Sequence, residues 1–261
     1  MTLTEVRQIL TELDVRPSKA LGQNFLIDGN ILEIIIREAD IRSRETVLEI
    51  GPGLGALTLK LADRAGKVIA IEKDGRLAEY IRRHYPEVEL IHGDACKVDL
   101  PACDSVVANL PYSISTAILE RFVERENRPR RLVLTVQREV AQRLAALPRH
   151  KDYGALTLFT QLRYHVTIVH VVSQRCFFPA PHVESAIVAL DQREPRIKLE
   201  AGAPFHDLVR QGFQQRRKML RKLLGDHERV DAALQAINLP VTARAEELSL
   251  EQWIELANRL R

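Results

Sequence analysis

Three acidic residues and one glycine-rich turn are spaced to hold a small molecule that is cationic at one end and adenosine-like at the other. The stretch V-L-E-I-G-P-G-L-G-A-L-T passes from a β-branched run at 46–50 through Gly51, Pro52, Gly53, Leu54 and Gly55 into a helical pattern. Glycines in such a turn let a ligand come close to the backbone. Gly51, Gly53 and Ala56 also satisfy the dinucleotide pattern G-x-G-x-x-G/A, with Glu72 placed 21 residues after Gly51, where an acid would hold a ribose hydroxyl pair. The loop alone therefore does not separate NAD from S-adenosyl-L-methionine. Glu49, two residues ahead of the first glycine, favours the methyl donor, because a carboxylate repels a pyrophosphate but attracts a sulfonium or an ammonium. Asp94, which closes L-I-H-G-D-A, can accept a hydrogen bond from an adenine amino group and completes an adenosine-shaped pocket with Glu72. Taken alone, each acid reads as a loop acid or a helix cap. Their registration with the glycine loop gives them functional weight.

The tetrapeptide Asn109-Leu110-Pro111-Tyr112, following V-V-A, carries a second chemistry. An adenine N6 amine is a poor nucleophile because its lone pair is delocalised into the ring, so a catalyst must draw the nitrogen towards tetrahedral geometry. Asn109 Oδ1 and the Leu110 carbonyl can supply two acceptors for its two hydrogens. Pro111 fixes the turn and removes a competing N–H, while Tyr112 offers a ring on which an extruded base can stack. No strong base is required, since a methylated ammonium is acidic and loses its proton to water. A second aromatic at Phe177 would stack on the other face of the base, at about 1–3 kcal/mol per ring. Phe178 reads as the neighbouring core residue.

These residues need strand ends to stand on. Residues 46–50, 67–71, 88–91, 105–108 and 132–136 are short β-branched runs that alternate with helical stretches, which means a parallel sheet with ligand residues at its carboxyl edge. Runs at 166–172 and 186–190, with no long helix between them, suit an antiparallel hairpin at the sheet edge. A polar connector at 191–203 leads to helical patterns without strands. The last of these starts at a capping box formed by Ser249 and Gln252, ahead of Trp253, Leu256 and Leu260. The expected architecture is an α/β, Rossmann-like methyltransferase sheet over 1–195 with a small all-α domain over 196–261.

The helical region is also the basic one: residues 196–224 carry eight Lys or Arg against two acids, although the whole chain is only +3. Arg210, Gln214, Arg217 and Arg221 follow helical spacing, and with Lys218 and Lys222 they form a stripe suited to RNA phosphates. Arg121, Arg125, Arg128, Arg130 and Arg131 form a second basic group that would extend the track. With 46% apolar and 28% charged residues, the 261-residue chain can bury a full core, which excludes disorder as its main state. Three cysteines without metal-ligand spacing argue against a metal site or a disulfide scaffold. The N-terminus lacks a continuous apolar run, and no stretch is long enough to span a bilayer, so a cytoplasmic protein without membrane contact is expected.

With glycine loop, acids and N-L-P-Y in this order, the chain resembles the adenine N6-dimethylating rRNA methyltransferases along nearly its whole length. L-G-Q-N-F-L-I-D at 21–28, V-Q-R-E-V-A-Q-R-L at 136–144 and F-F-P-A-P-H-V-E-S at 177–185 carry the resemblance further. The ending R-A-E-E-L-S-L-E-Q-W at 244–253 looks like the KsgA-type branch, which acts on small-subunit rRNA in bacteria. The resemblance implies that Gln23, Asn24 and the Leu26 backbone join Glu49, Gly51, Gly53, Glu72, Asp94 and Asn109 in holding the methyl donor. It also implies that Tyr112 and Phe177 sandwich the target adenine, and that the partner is small-subunit rRNA within a pre-30S particle, met by a monomer. His182 stands where that family commonly has lysine, and Ala20 where a basic residue is common. The competing readings are an NAD-dependent oxidoreductase, a large-subunit rRNA adenine methylase, and a ribosome-assembly factor for which methylation is secondary.

Overall fold

The computed structural model describes residues 1–18 and 21–261, so Ala20 lies outside the described residues. From the amino end the chain forms α1 (Leu3–Glu12), β1 (Phe25–Leu26), α2 (Gly29–Ala39), β2 (Thr46–Ile50), α3 (Ala56–Ala62), β3 (Lys67–Glu72), α4 (Gly75–His84), β4 (Glu89–His92) and β5 (Ser105–Asn109). It continues through α5 (Ser115–Glu124), β6 (Arg131–Gln137), α6 (Arg138–Leu144), α7 (Ala155–Gln161), β7 (Tyr164–Val172), β8 (Phe177–Phe178) and β9 (Ser185–Gln192). It ends in α8 (Phe205–Gln214), α9 (Leu220–Leu223), α10 (His227–Ala236) and α11 (Leu250–Arg259).

Seven strands form one sheet in the order β4-β3-β2-β5-β6-β9-β7. β2, β3, β4, β5 and β6 run parallel to their neighbours, as their apolar runs demand when both faces are to be covered. On one face Val47, Val68, Ala70, Val107 and Val133 meet Ile31, Leu32, Ile35 and Ile36 of α2 and Leu57 and Leu61 of α3. The alternate residues Leu48, Ile69, Ile71 and Val106 are buried as well. Asp28 and Asp74 start α2 and α4 by accepting backbone N–H groups of the first turn. The order reverses between β2 and β5, and that reversal opens a crevice at the strands' carboxyl ends.

The late strands differ from a simple hairpin. β9 inserts between β6 and β7 and pairs antiparallel with β6 over Arg131↔Asp191 to Gln137↔Ser185. The connection from β7 to β9 contains β8, which pairs with β1 rather than with the main sheet. A two-stranded clip, Phe25↔Phe178 and Leu26↔Phe177, therefore joins the L-G-Q-N-F-L-I-D and F-F-P-A-P-H-V-E-S segments.

Two compact units result, residues 1–141 with 166–192 and residues 142–165 with 193–261. Against the expected single boundary at 195, residues 142–165 belong with the C-terminal helices. The cause is non-local bonding inside the second unit: Tyr153 donates to the Leu248 carbonyl at 2.8 Å and Arg149 N–H to the Glu246 carbonyl at 2.7 Å. The Phe159 ring lies edge-on to Phe205. Within this unit the capping box of Ser249 and Gln252 opens α11, whose Trp253 is fully buried.

At the amino ends of the strands in the first unit, Glu45 is buried and accepts from Ser105 Oγ at 3.1 Å and Arg130 Nη2 at 3.0 Å. These bonds hold its carboxyl below the usual range against the opposing effect of burial. Removing the guanidinium leaves a carboxylate that is only 8% exposed without its cation. Arg130→Met should cost about 3 kcal/mol, the low end for a broken buried pair because Arg130 itself is a quarter exposed, and urea unfolding will measure it.

Candidate active site

The crevice at the β2–β5 reversal is lined by residues of 21–26, 49–57, 71–73, 93–95 and 109–114, together with α1. The segments of chain that meet there are tied by specific bonds. Glu72, at the end of β3, accepts from Gly53 N at 3.1 Å through Oε2 and from Lys73 N at 2.8 Å and Asp74 N at 2.9 Å through Oε1. One buried carboxylate thus holds the glycine loop against the next strand's exit. Burial raises its pKa and the three N–H donors oppose the rise. Gly53 has φ +59, and a Cβ there would lie 3.1 Å from the Phe25 ring, so loop and clip can pack this closely only with glycine.

Asn109, at the end of β5, donates its Nδ2 to the Asn24 carbonyl at 2.9 Å. That bond fixes which end of the amide is the donor and leaves Oδ1 as the acceptor. Asn24 in turn donates to the Gly22 carbonyl, and Gly22 at φ +64 sits 3.3 Å from Pro111, Ser113 and the Tyr112 backbone measured from its would-be Cβ. Gln23 bridges the Ser18 N–H and the Asp74 carboxylate. The Tyr112 hydroxyl bonds Ser185 Oγ of β9, which fixes the ring at the mouth of the turn. Asp94 accepts from Cys96 N at 2.9 Å and Lys73 Nζ at 3.0 Å, contacts that hold its carboxyl below the usual range while leaving lone pairs for another donor.

Glu49 is the anomaly of the crevice. It is 2% exposed, and its Oε2 has no hydrogen-bond partner among the described residues. Burial pushes its pKa up to about 8, with the nearby Glu72 charge adding to the effect and the Thr58 hydroxyl offsetting part of it. An orphaned buried carboxylate beside the glycine loop fits a ligand that brings its own positive charge.

The crevice brings together Gln23, Asn24, Leu26, Glu49, Gly51, Gly53, Glu72, Asp94, Asn109, Leu110 and Tyr112. Phe177 is not among its lining residues: it is 3% exposed and packs in the core with Leu26, while Phe178 is the partly buried one, with the Arg7 guanidinium 5.1 Å from its ring centre. The pairing with Phe25 and Leu26 decides which of the two faces inward, a fact outside the local sequence. Also unforeseen is the amino-terminal segment, where Met1 from just ahead of α1 and Val6 from within it line the crevice. Its amphipathic pattern, with Val6 and Leu10 buried, is the only local signal.

In the helical unit the expected continuous stripe is broken. α8 ends at Gln214, and Met219 adopts an extended conformation bridged to Arg244 before α9 begins. Arg210 lies 5.7 Å from the Phe159 ring centre and Arg221 pairs with Asp231 at 3.0 Å. Arg217, Lys218 and Lys222 are exposed and pair with no acid among the described residues.

The strand order, the glycine loop and the acids at successive strand ends define a Rossmann-like methyltransferase. Residues 16–261 match the family model described as ribosomal RNA adenine dimethylase, and the chain belongs to that family. It is 38% identical over 268 residues to ribosomal RNA small subunit methyltransferase A of Clostridium acetobutylicum, covering 97% of each. It is 39% identical to the protein of that name from Protochlamydia amoebophila, covering 98% of this chain and 96% of the relative. Among solved structures, a dimethyladenosine transferase from Plasmodium falciparum superposes with TM-score 0.77 at 28% identity, covering 89% of this chain and 95% of the other. The 23S rRNA methyltransferase ErmE superposes with TM-score 0.72 at 32% identity, covering 91% and 99%.

The raised pKa of Glu49 has a definite sign in stability. The folded state holds this proton up to about pH 8 and the unfolded chain releases it near 4.5, so stability is fully present below 4.5 and is lost as pH rises through 8. Glu49→Gln should leave stability unchanged at pH 4 and raise it at pH 9 by up to about 5 kcal/mol, while weakening methyl-donor binding. Thermal melts at the two pH values and calorimetry with the donor check both halves.

Proposed function

We propose that the protein transfers methyl groups from S-adenosyl-L-methionine to N6 of adenines in small-subunit rRNA, acting on a pre-30S particle and giving N6,N6-dimethyladenosine. The observation that carries this reading is the Asn109 amide, oriented by Asn24 so that its oxygen is the free acceptor at the crevice. The donor supplies an electrophilic methyl group when bound. Glu49, Glu72 and Asp94 would hold its cationic and adenosine parts, and Gly51 and Gly53 admit it to the backbone. Asn109 Oδ1 and the Leu110 carbonyl would accept the two hydrogens of the target amine and pull its lone pair out of the ring. Tyr112, anchored on Ser185, offers the stacking face.

After one transfer the amine keeps one hydrogen and one acceptor contact. The family's description as a dimethylase supports a second transfer. The small-subunit assignment is favoured over a large-subunit one by the 37–40% identity to relatives named small subunit methyltransferase, against 32% to ErmE. Within the C-terminal basic segment, Arg217, Lys218 and Lys222 are exposed and open to RNA phosphates.

Mapping dimethyladenosine in undermethylated small subunits, after adding the protein and labelled donor, tests the reading; monomethyladenosine as sole product with excess donor would count against it. In the same assay Asn109→Ala should lower turnover roughly 10²- to 10³-fold with folding intact, by analogy with the loss of one aimed transition-state hydrogen bond. Replacing Arg217, Lys218 and Lys222 with glutamine should reduce the slope of log K against log salt by about 0.7 per lost single-strand phosphate, with donor affinity unchanged. Filter binding across a salt series measures it.

A further inference from the structure

The first unit has a second cavity, of about 410 Å³, lined by Arg42, Arg44, Arg128, Arg130, Cys103, Asp104, Glu45 and Gln192. It lies at the opposite end of the sheet from the crevice. Its lining residues immediately precede β2, β5 and β6 or close the antiparallel β9, whereas the crevice is built on strand carboxyl ends.

Four guanidiniums face two carboxylates in this wall, and both carboxylates are already engaged. Glu45 is bonded by Arg130 and Ser105, and Asp104 Oδ2 accepts the Thr46 N–H at 2.8 Å. Arg42 reaches Glu45 only at 3.9 Å, with its side chain 71% exposed. Arg44 is exposed, and neither Arg44 nor Arg128 has a recorded acid partner among the described residues. Arg128 donates Nη1 to the Arg125 carbonyl, but its Nε is shut off from solvent with no acceptor. A guanidinium N–H in that state lacks an oxygen ligand, and the planar fork beside it is shaped for an oxyanion.

The wider arginine group behaves differently from a solvated track. Arg121 and Arg125 spend their guanidiniums on the carbonyls of Ala95, Val98 and Pro101, and Arg131 on Glu38 and Asp191. These residues fasten loops to strands. Positive charge that no close carboxylate neutralises is left at Arg44 and Arg128, with Arg42 held only by its long contact to Glu45, all three gathered on one cavity.

We propose that this cavity is a phosphate site that takes a backbone phosphate of the RNA substrate, a contact at the far end of the sheet from methyl transfer. The RNA half of the assignment rests on the function proposed above; the phosphate half rests on the cavity alone. A single seated phosphate offers oxygens to the exposed forks of Arg42 and Arg44 and lies beside the Arg128 guanidinium, and it does so without disturbing the Glu45–Arg130 pair.

The test uses the full chain and the variant Arg42→Gln with Arg44→Gln, both exposed side chains outside the crevice, with Arg44→Gln alone as a second variant should the pair lower stability. Inorganic phosphate titrated at low ionic strength should raise the melting temperature of the native chain and not that of the variant. The slope of log K against log salt for small-subunit rRNA should fall by about 0.7 to 0.9, one phosphate's worth, with turnover at saturating RNA unchanged. Phosphate protection with an unaltered RNA slope would overturn the RNA assignment and leave a site for a free phosphate ester. Absence of both effects would overturn the site itself. A native chain that neither binds nor methylates RNA would sink the proposed function, while the phosphate titration still decides the cavity.

Discussion

The Asn109 Nδ2 bond to the Asn24 carbonyl is the constraint on which the crevice geometry turns. A side-chain amide can present either end to a ligand, and only the oxygen can accept a hydrogen from an amine. The strand end supplies Asn109, but the direction of its amide is decided by a residue 85 positions earlier. Asn24 is itself held because Gly22 fits against Pro111 and Ser113 and because Phe25 pairs with Phe178. The clip of β1 and β8, peripheral to the main sheet, therefore serves to aim one acceptor.

Glu72 plays the corresponding part for the glycine loop. Three backbone N–H groups converge on it, so the loop that approaches a ligand most closely is fastened by an acid that can also meet the ligand. Glu49, 2% exposed beside it, is left without such compensation. Two buried acids close together cannot both be comfortably ionised, and the structure resolves this by satisfying one with backbone donors and leaving the other short of a partner. The unsatisfied acid is a stability defect in the ligand-free chain and a binding determinant once a cation arrives.

Much of this was legible from residues alone, and the parts that were not share a cause. The run at 46–50 matches β2, Glu72 closes β3 and Asp94 lies two residues past the end of β4, because β-branched runs and glycine turns are local signals. The expected helical stripe at 210–221 failed because Met219 bridges to Arg244, a pairing with no local signature that overrides helix propensity. Phe177, expected to stack, is the buried one and Phe178, expected in the core, the half-buried one, because their facing follows the register with Phe25 and Leu26, which the local sequence does not carry. The assignment of 142–165 to the helical unit likewise depends on partners such as Leu248 and Glu246, about a hundred residues away.

The arginines make the same point about charge. Counted along the chain, the group from Arg121 to Arg131 carries five arginines against two acids and the segment from Arg210 to Lys222 six cations against none, and both suggest phosphate contact. Bonding separates them: a guanidinium that already donates to buried carbonyls has exchanged its water for protein and has little left to offer a phosphate, whereas Arg217, Lys218 and Lys222 remain hydrated and free to trade counterions for RNA. Arg128 is intermediate, with one nitrogen bonded and another buried without an acceptor. Local basicity is thus a necessary condition for a nucleic-acid surface, and the count of unspent N–H donors decides which basic segment can form one.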